Sequence, residues 1–368
     1  MRERKSAVKN LERKNIKKLK PYQPGKPIEE LRRELGLKDI IKLASNENPI
    51  GPSPKAVKAA SLAACEANRY PDGSSFYLKR KIASKFGLSS DNVIIGSGSD
   101  DLIDIITKAF LEERDEVLIT KPSFLEYYIL SMARGAKVRN IALKDFKYDI
   151  KAILNAINSK TKVIFIGNPD NPTGAYLNNR MLGDFIRGCP DDVVLVFDEA
   201  YRELTDKKDY SNPFKYIRKK NIIILRTFSK AYGLAGLRIG YGLSNKRIIS
   251  AMEKVRLPFN VNLLAQRGAE AALDDEAHLL KTKRCIKAGK KYLVKNLEKL
   301  AFKIVVSPAN FILVNCSRKK GSQIFKKLLR YGIIVRDMKA YGLPYYFRVN
   351  VGTAEENKRF IEALKKVT

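Results

Sequence analysis

The chain has 368 residues, 45% hydrophobic and 30% charged, with no apolar run long enough to cross a membrane and no apolar secretory core at its N-terminus. Its net charge of +32 raises nucleic acid as a partner, but the basic residues are spread along the chain, without a helix-turn-helix, zinc finger or aromatic RNA platform. The four cysteines, Cys65, Cys189, Cys285 and Cys316, form no CxxC pair, which fits reduced thiols in a cytoplasmic protein and neither a disulfide frame nor a metal site.

Residues 1–20, "MRERKSAVKNLERKNIKKLK", are the densest basic stretch and read as a solvated arm. Glu3 and Glu12 interrupt the charge and serine is scarce, which argues against a mitochondrial targeting peptide. Residues 1–45, ending near the strand-like "IIKLA", are expected to form this arm and part of a small domain. Residues 46–262 are expected to form a large domain. From about residue 90 to 245, short apolar runs alternate with helical patterns. "NVIIG", "EVLIT", "AKVRNIAL", "KVIFIGN", "VVLVFDE" and "NIIILRT" are the strands. Their near-continuous Val, Ile and Leu content predicts a mostly parallel sheet covered by helices on both faces. A single helical stretch is predicted over roughly 263–300. Then come "FKIVV", "NFILVN", a helix near 322–331, "GIIV", "YYFRVNV" and a helix from about 354. Residues 263–368 thus read as a smaller α+β domain, giving an α/β fold of two unequal parts.

In open α/β sheets, ligands bind at the carboxyl ends of the strands. Polar residues gather at those ends here. "NVIIGSGSDDLIDII" is a strand, a Gly-Ser turn and a helix start, with Ser99 as the expected N-cap and exposed N–H groups suited to phosphate. "EVLITKPSFLEYY" offers Phe124, and "KVIFIGNPDNPTG" offers Asn168, Asn171 and Gly174. "VVLVFDEAY" offers Asp198, Glu199 and Tyr201, and "NIIILRTFSK" offers Thr227, Ser229 and Lys230. A carboxylate at the end of a buried strand is costly unless it meets a cation. Each residue has a structural alternative: Asp198 a helix cap, Phe124 a core ring, Lys230 a surface charge. Together they match pyridoxal phosphate, which needs an amine for its aldehyde, a carboxylate for its ring nitrogen and an anion site.

The runs "PYQPGKPIEEL", "KLASNENPIGPSP", "RYPDG", "GSGSDDLI", "NPDNPTG", "FDEAY", "FSKAYGLAGLRIGY" and "YYFRVNVGT" carry a resemblance from about Pro21 to the C-terminus. The chain resembles the fold-type I pyridoxal-phosphate aminotransferases, and within them the histidinol-phosphate aminotransferase family. The resemblance implies pyridoxal 5′-phosphate bound covalently by Lys230, whose amine neighbouring cations such as Arg238 would keep neutral. It implies Asp198 at the ring nitrogen, Asn171 and Tyr201 at the phenolic oxygen and Phe124 stacked on the ring. Gly98, Ser99 and Asp100 with Thr227, Ser229 and Arg238 would hold the phosphate, Asp100 turning its side chain outward.

By the same resemblance, Tyr70 would reach the cofactor of a second subunit, placing the site at a homodimer interface. Arg348 would hold the substrate's distal anion, with Arg336 on the preceding strand. Two arginines suit a doubly charged phosphate, although Arg336 also reads as a surface strand charge. Tyr22 and Asn46 would close over the substrate. His278, the only histidine, reads as structural. The implied reaction moves an amino group between L-histidinol phosphate and 2-oxoglutarate, with no metal, membrane or nucleic acid. An aromatic aminotransferase, a threonine-phosphate decarboxylase and a ligand-sensing regulator remain open; the regulator would need a DNA-binding module.

Overall fold

The computed structural model describes residues 11–317 and 319–368, so the first half of the basic arm lies outside the described residues. The strands in chain order are β1 (Ile41–Lys42), β2 (Val93–Gly96), β3 (Glu116–Lys121), β4 (Lys137–Ala142), β5 (Thr161–Gly167), β6 (Val194–Asp198), β7 (Ile222–Thr227) and β8 (Gly240–Leu243). There follow β9 (Lys303–Val306), β10 (Phe311–Asn315), β11 (Ile333–Ile334), β12 (Arg336–Asp337) and β13 (Tyr346–Asn350).

Seven strands form one sheet in the order β2-β8-β7-β6-β5-β3-β4. Neighbours pair in parallel except β8, which runs antiparallel to β2 and β7. Alternate residues enter different cores. Ile164, Ile166, Leu195, Phe197, Ile222 and Ile224 face one, while Val163, Phe165, Val194, Val196, Ile223 and Leu225 face the other. Both faces need apolar side chains, so the strands read as continuous apolar runs rather than alternating ones. Strands β3, β5, β6 and β7 therefore present their polar residues at their ends.

Sequence reading misses β8, because "GYGL" looks like a loop. The glycines are there for close approach. A Cβ on Gly240 would lie 2.8 Å from Arg226 O and 3.0 Å from the carbonyl carbon of Gly98. The single helix expected over 263–300 is two helices, Leu263–Ala272 and Glu276–Lys299. The break is a polar cap that apolar periodicity does not register. Asp275 accepts the His278 N–H at 3.2 Å and the Ser53 hydroxyl at 2.6 Å.

β12, β13, β10 and β9 form an antiparallel four-stranded sheet. β1 pairs in parallel with β11, joining the segment before the large sheet to the C-terminal part. The described part of the basic arm is docked rather than wholly solvated. Arg13 Nη2 donates to Ala133 O at 2.8 Å and Asn15 Nδ2 to Met132 O at 2.8 Å, at the end of helix Leu125–Ala133. No helix among the described residues is long and apolar enough to cross a membrane.

Candidate active site

The carboxyl ends of β5, β6 and β7, the turn after β2, residues 44–47 and strands β12 and β13 surround a cleft of about 330 Å³. Every residue that the resemblance assigns to cofactor or substrate lines it except Gly98 and Tyr70; of the other strand-end candidates, Asn168, Gly174 and Glu199 do not.

Lys230 follows β7, and its Nζ donates to Ser45 O at 3.0 Å. Burial pulls the ammonium down from 10.5 to about 8, and Arg348 adds to this; Arg238 contributes less. Arg238 lowers it as expected, but after burial and Arg348. The amine is made available by its place under the strand ends and by an arginine from β13.

Asp198 ends β6 with its carboxylate on the cleft floor. Oδ2 accepts the Tyr127 hydroxyl at 2.7 Å and Oδ1 accepts the Ala200 N–H at 3.1 Å. Burial raises its carboxyl to about 6. The adjacent Glu199 is tied to Arg226 at 2.6 Å. Of the two acids, Asp198 therefore lacks a cation among the described residues and faces the cleft.

The candidate anion cradle begins at Gly98, the N-cap of helix Ser99–Phe110, with φ 87° and ψ 173°. Ser99 is the first helical residue, not the cap expected from its hydroxyl; no side chain caps this end. Asp101 organises the turn instead, accepting the Ser97 N–H at 2.8 Å and Asn260 Nδ2 at 2.7 Å. Arg238, itself left-handed at φ 56°, donates to Ser229 Oγ at 3.5 Å and to Ala235 O at 3.0 Å. Its Nη2 reaches Asp100 Oδ2 at 3.2 Å, so Asp100 turns toward this arginine rather than outward. Opposite charge outweighs the expected avoidance of the anion site. Thr227 Oγ1 accepts the Ser229 N–H at 3.1 Å and shapes the turn.

Arg336 and Arg348 are direct cross-strand partners, 8% and 4% exposed. Like charges in that register repel, and no carboxylate neutralises either among the described residues. Carbonyls and rings hold them instead. Arg348 donates to Ala44 O at 2.5 Å and to Asn171 Oδ1, and Arg336 donates to Gln23 O. The Arg336 guanidinium lies 5.7 Å from the Tyr22 ring centre. The Arg348 Nε is buried without a partner. Such a pair suits a ligand that carries two negative charges. Asn171 offers its oxygen to Arg348 and keeps its NH₂ without a protein partner. Tyr201 accepts Asn46 Nδ2 at 2.8 Å and keeps its own proton to donate.

These residues fit pyridoxal phosphate: an available amine, a buried carboxylate, two free donors, the Phe124 ring and a glycine-lined cradle. A Cβ on Gly98 would approach Arg238 Nη2 to 2.7 Å, so bulk there would fill the cradle. Comparison with known proteins agrees. The family Aminotransferase class I and II matches residues 38–364. A Moorella thermoacetica protein named histidinol-phosphate aminotransferase is 44% identical over 357 residues, 96% of this chain and 92% of its own. One of the same name from Desulfotalea psychrophila is 46% identical, over 95% of this chain and 93% of its own. The chain belongs to the class I and II aminotransferases.

A crystal structure of histidinol-phosphate aminotransferase from Sinorhizobium meliloti, in complex with pyridoxal-5′-phosphate, superposes with a TM-score of 0.90. It is 28% identical to this aminotransferase and covers 98% of each chain. Tyr70 stands apart from the cleft of its own chain. It is 82% exposed and stacks on Phe259 at 4.7 Å. His278 is also outside the cleft, its Nε2 3.2 Å from Gly51 O. Sequence reasoning missed Tyr127 and Tyr341, both in the lining. Tyr127 had a signal, since it lies three residues after Phe124, one helical turn away. Tyr341, in a short turn outside every motif, had none.

Proposed function

We propose that this aminotransferase moves the amino group of L-histidinol phosphate to 2-oxoglutarate, giving imidazole acetol phosphate and glutamate in histidine biosynthesis. The observation that carries this reading is the buried Arg336–Arg348 pair without a neutralising carboxylate. The names of the similar proteins support it. The cofactor is pyridoxal 5′-phosphate, which when bound supplies an electron sink for the carbanion at the substrate's Cα.

The chain's own residues do the rest. Lys230 would bond the cofactor's aldehyde and, once freed by the substrate's amine, carry the proton from the substrate's Cα to the cofactor's C4′; an amine with a pKa near 8 is suited to both. Asp198 accepts from the ring nitrogen. Asn171 and Tyr201 donate to the phenolic oxygen, and Phe124 stacks on the ring. Gly98, Ser99 and Asp100 supply N–H groups to the phosphate, with Thr227, Ser229 and Arg238 completing the cradle. Arg336 and Arg348 bind the substrate's phosphate, and Tyr22 and Asn46 close over the substrate. Glutamate uses the same site, so Arg348 also serves a carboxylate and the two half-reactions alternate.

The assembly in this reading is a homodimer with shared active sites, Tyr70 reaching the neighbour's cofactor phosphate. Residues 46–262 form the cofactor-binding part, and the described residues of 1–45 and 263–368 the N-terminal arm and the smaller part. The four free cysteines fit a cytoplasmic enzyme. An amine-donor panel with 2-oxoglutarate tests the proposal. Histidinol phosphate should give the highest kcat/KM. A clear preference for phenylalanine and tyrosine would make this an aromatic aminotransferase, and carbon dioxide release from threonine phosphate would make it a decarboxylase.

A further inference from the structure

Asp198 has one side-chain donor among the described residues, the Tyr127 hydroxyl at 2.7 Å. That hydroxyl is tightly located. Tyr127 is 1% exposed. Its ring stacks on Phe165 at 4.9 Å and 5°, and meets Phe124 edge-on at 5.6 Å and 85°. The phenol thus sits between a core strand and the aromatic plate of the cleft, able to swing toward neither. Its oxygen can only donate usefully to Asp198.

The surrounding charges make this donation consequential. After burial, the carboxylates Asp100 and Glu199 push Asp198 up toward neutrality, while Tyr127 is the largest opposing influence. Asp170 and Tyr148 also face Tyr127, and Tyr201 faces Asp198. Tyr127 itself is held well above the ordinary phenol range by burial, so it remains an O–H donor.

We propose that Tyr127 is a positioning residue that acts through Asp198, fixing the carboxylate against the cofactor's ring nitrogen and keeping it an anion. The role rests on the pyridoxal-phosphate reading above. It requires that removing the hydroxyl affect only ligands that possess a ring nitrogen.

Equilibrium dialysis of the apoprotein with pyridoxal phosphate and with its 1-deaza analogue, which has carbon in place of the ring nitrogen, tests this directly. Tyr127→Phe keeps the stacked ring and loses the donor. It should weaken pyridoxal phosphate about tenfold, the worth of one hydrogen bond to a charged group, and leave the analogue within about twofold of wild type. Unchanged affinity for the analogue also shows that the variant is folded. In an Asp198→Asn background the same substitution should cost nothing further. Equal weakening of both ligands would mean that Tyr127 only packs, and unchanged binding of both would mean that it does nothing; either overturns the proposal. Failure of the wild-type chain to bind pyridoxal phosphate would instead overturn the cofactor reading on which it stands.

Discussion

Lys230 owes its lowered pKa, and with it the reactivity proposed for it, to its position rather than to a single partner. Its amine sits near 8 instead of 10.5 because it is buried and faces Arg348. Addition to an aldehyde needs the neutral amine, so the rate of cofactor loading should rise with pH and level off above about 8. Arg348→Leu removes a cation that disfavours the ammonium, and should move that midpoint upward. A stopped-flow loading profile checks both; a wild-type midpoint near 10.5 would contradict the assignment. The same displacement has a stability consequence in the apoprotein. The contribution is present in full above about 10.5, where both states are neutral, and is lost as pH falls through about 8.

Gly98 is the other residue where local physics is decisive. Its φ of 87° and ψ of 173° lie where side chains are essentially excluded. Gly98→Ala should cost about 1–3 kcal/mol in apoprotein denaturation and also weaken cofactor binding, since the new Cβ meets Arg238. Unaltered stability would show that the cradle can relax. Residues of this kind were legible because the motifs fall at strand ends. Asp101 was not, because its role is hydrogen bonding across the fold that no spacing announces; for Tyr127 the spacing from Phe124 signalled its place but not its bond to Asp198.

Strand register brings two separate arginines side by side, and the proposed function makes them one anion site. Arg336 and Arg348 are twelve positions apart in sequence yet opposite each other on β12 and β13. Sequence placed them on neighbouring strands, but the shared face and the missing carboxylate are properties of the pairing. Arg336→Ala should lower kcat/KM for histidinol phosphate about tenfold or more and affect glutamate less, as one charge-assisted bond is worth about 1.5–3 kcal/mol. Arg348→Ala should harm both donors, because it also releases Asn171 from its present orientation. Half-reaction rates for each donor decide this; equal losses for both variants would show that the pair does not divide its work. The large sheet was legible through its apolar runs, whereas β8 and the break before Glu276 were not. Glycine needed for close approach looks like a loop, and a capping aspartate does not disturb apolar periodicity.

At the scale of the whole molecule, Tyr70 is the residue that the single chain leaves unused. It is exposed beside Phe259, which is also exposed. Mixing Tyr70→Phe with Lys230→Ala chains, each severely impaired alone, should restore part of the activity once subunits exchange. Absence of rescue despite exchange would remove the shared site. Sequence indicated the two-part architecture because both parts have distinct textures, but a partner's surface leaves no periodicity to read. The charge of +32 was equally legible and carries no role in the cleft beyond its few arginines and Lys230.

The claim that organises all of this is that the cleft reads a phosphate through two buried guanidinium groups. The most direct test is the first half-reaction of the wild-type enzyme, followed by stopped-flow absorbance with histidinol phosphate and with histidinol. Losing both charge-assisted contacts should make histidinol poorer by about a hundredfold in kcat/KM. Equal rates with the two amines would contradict the account.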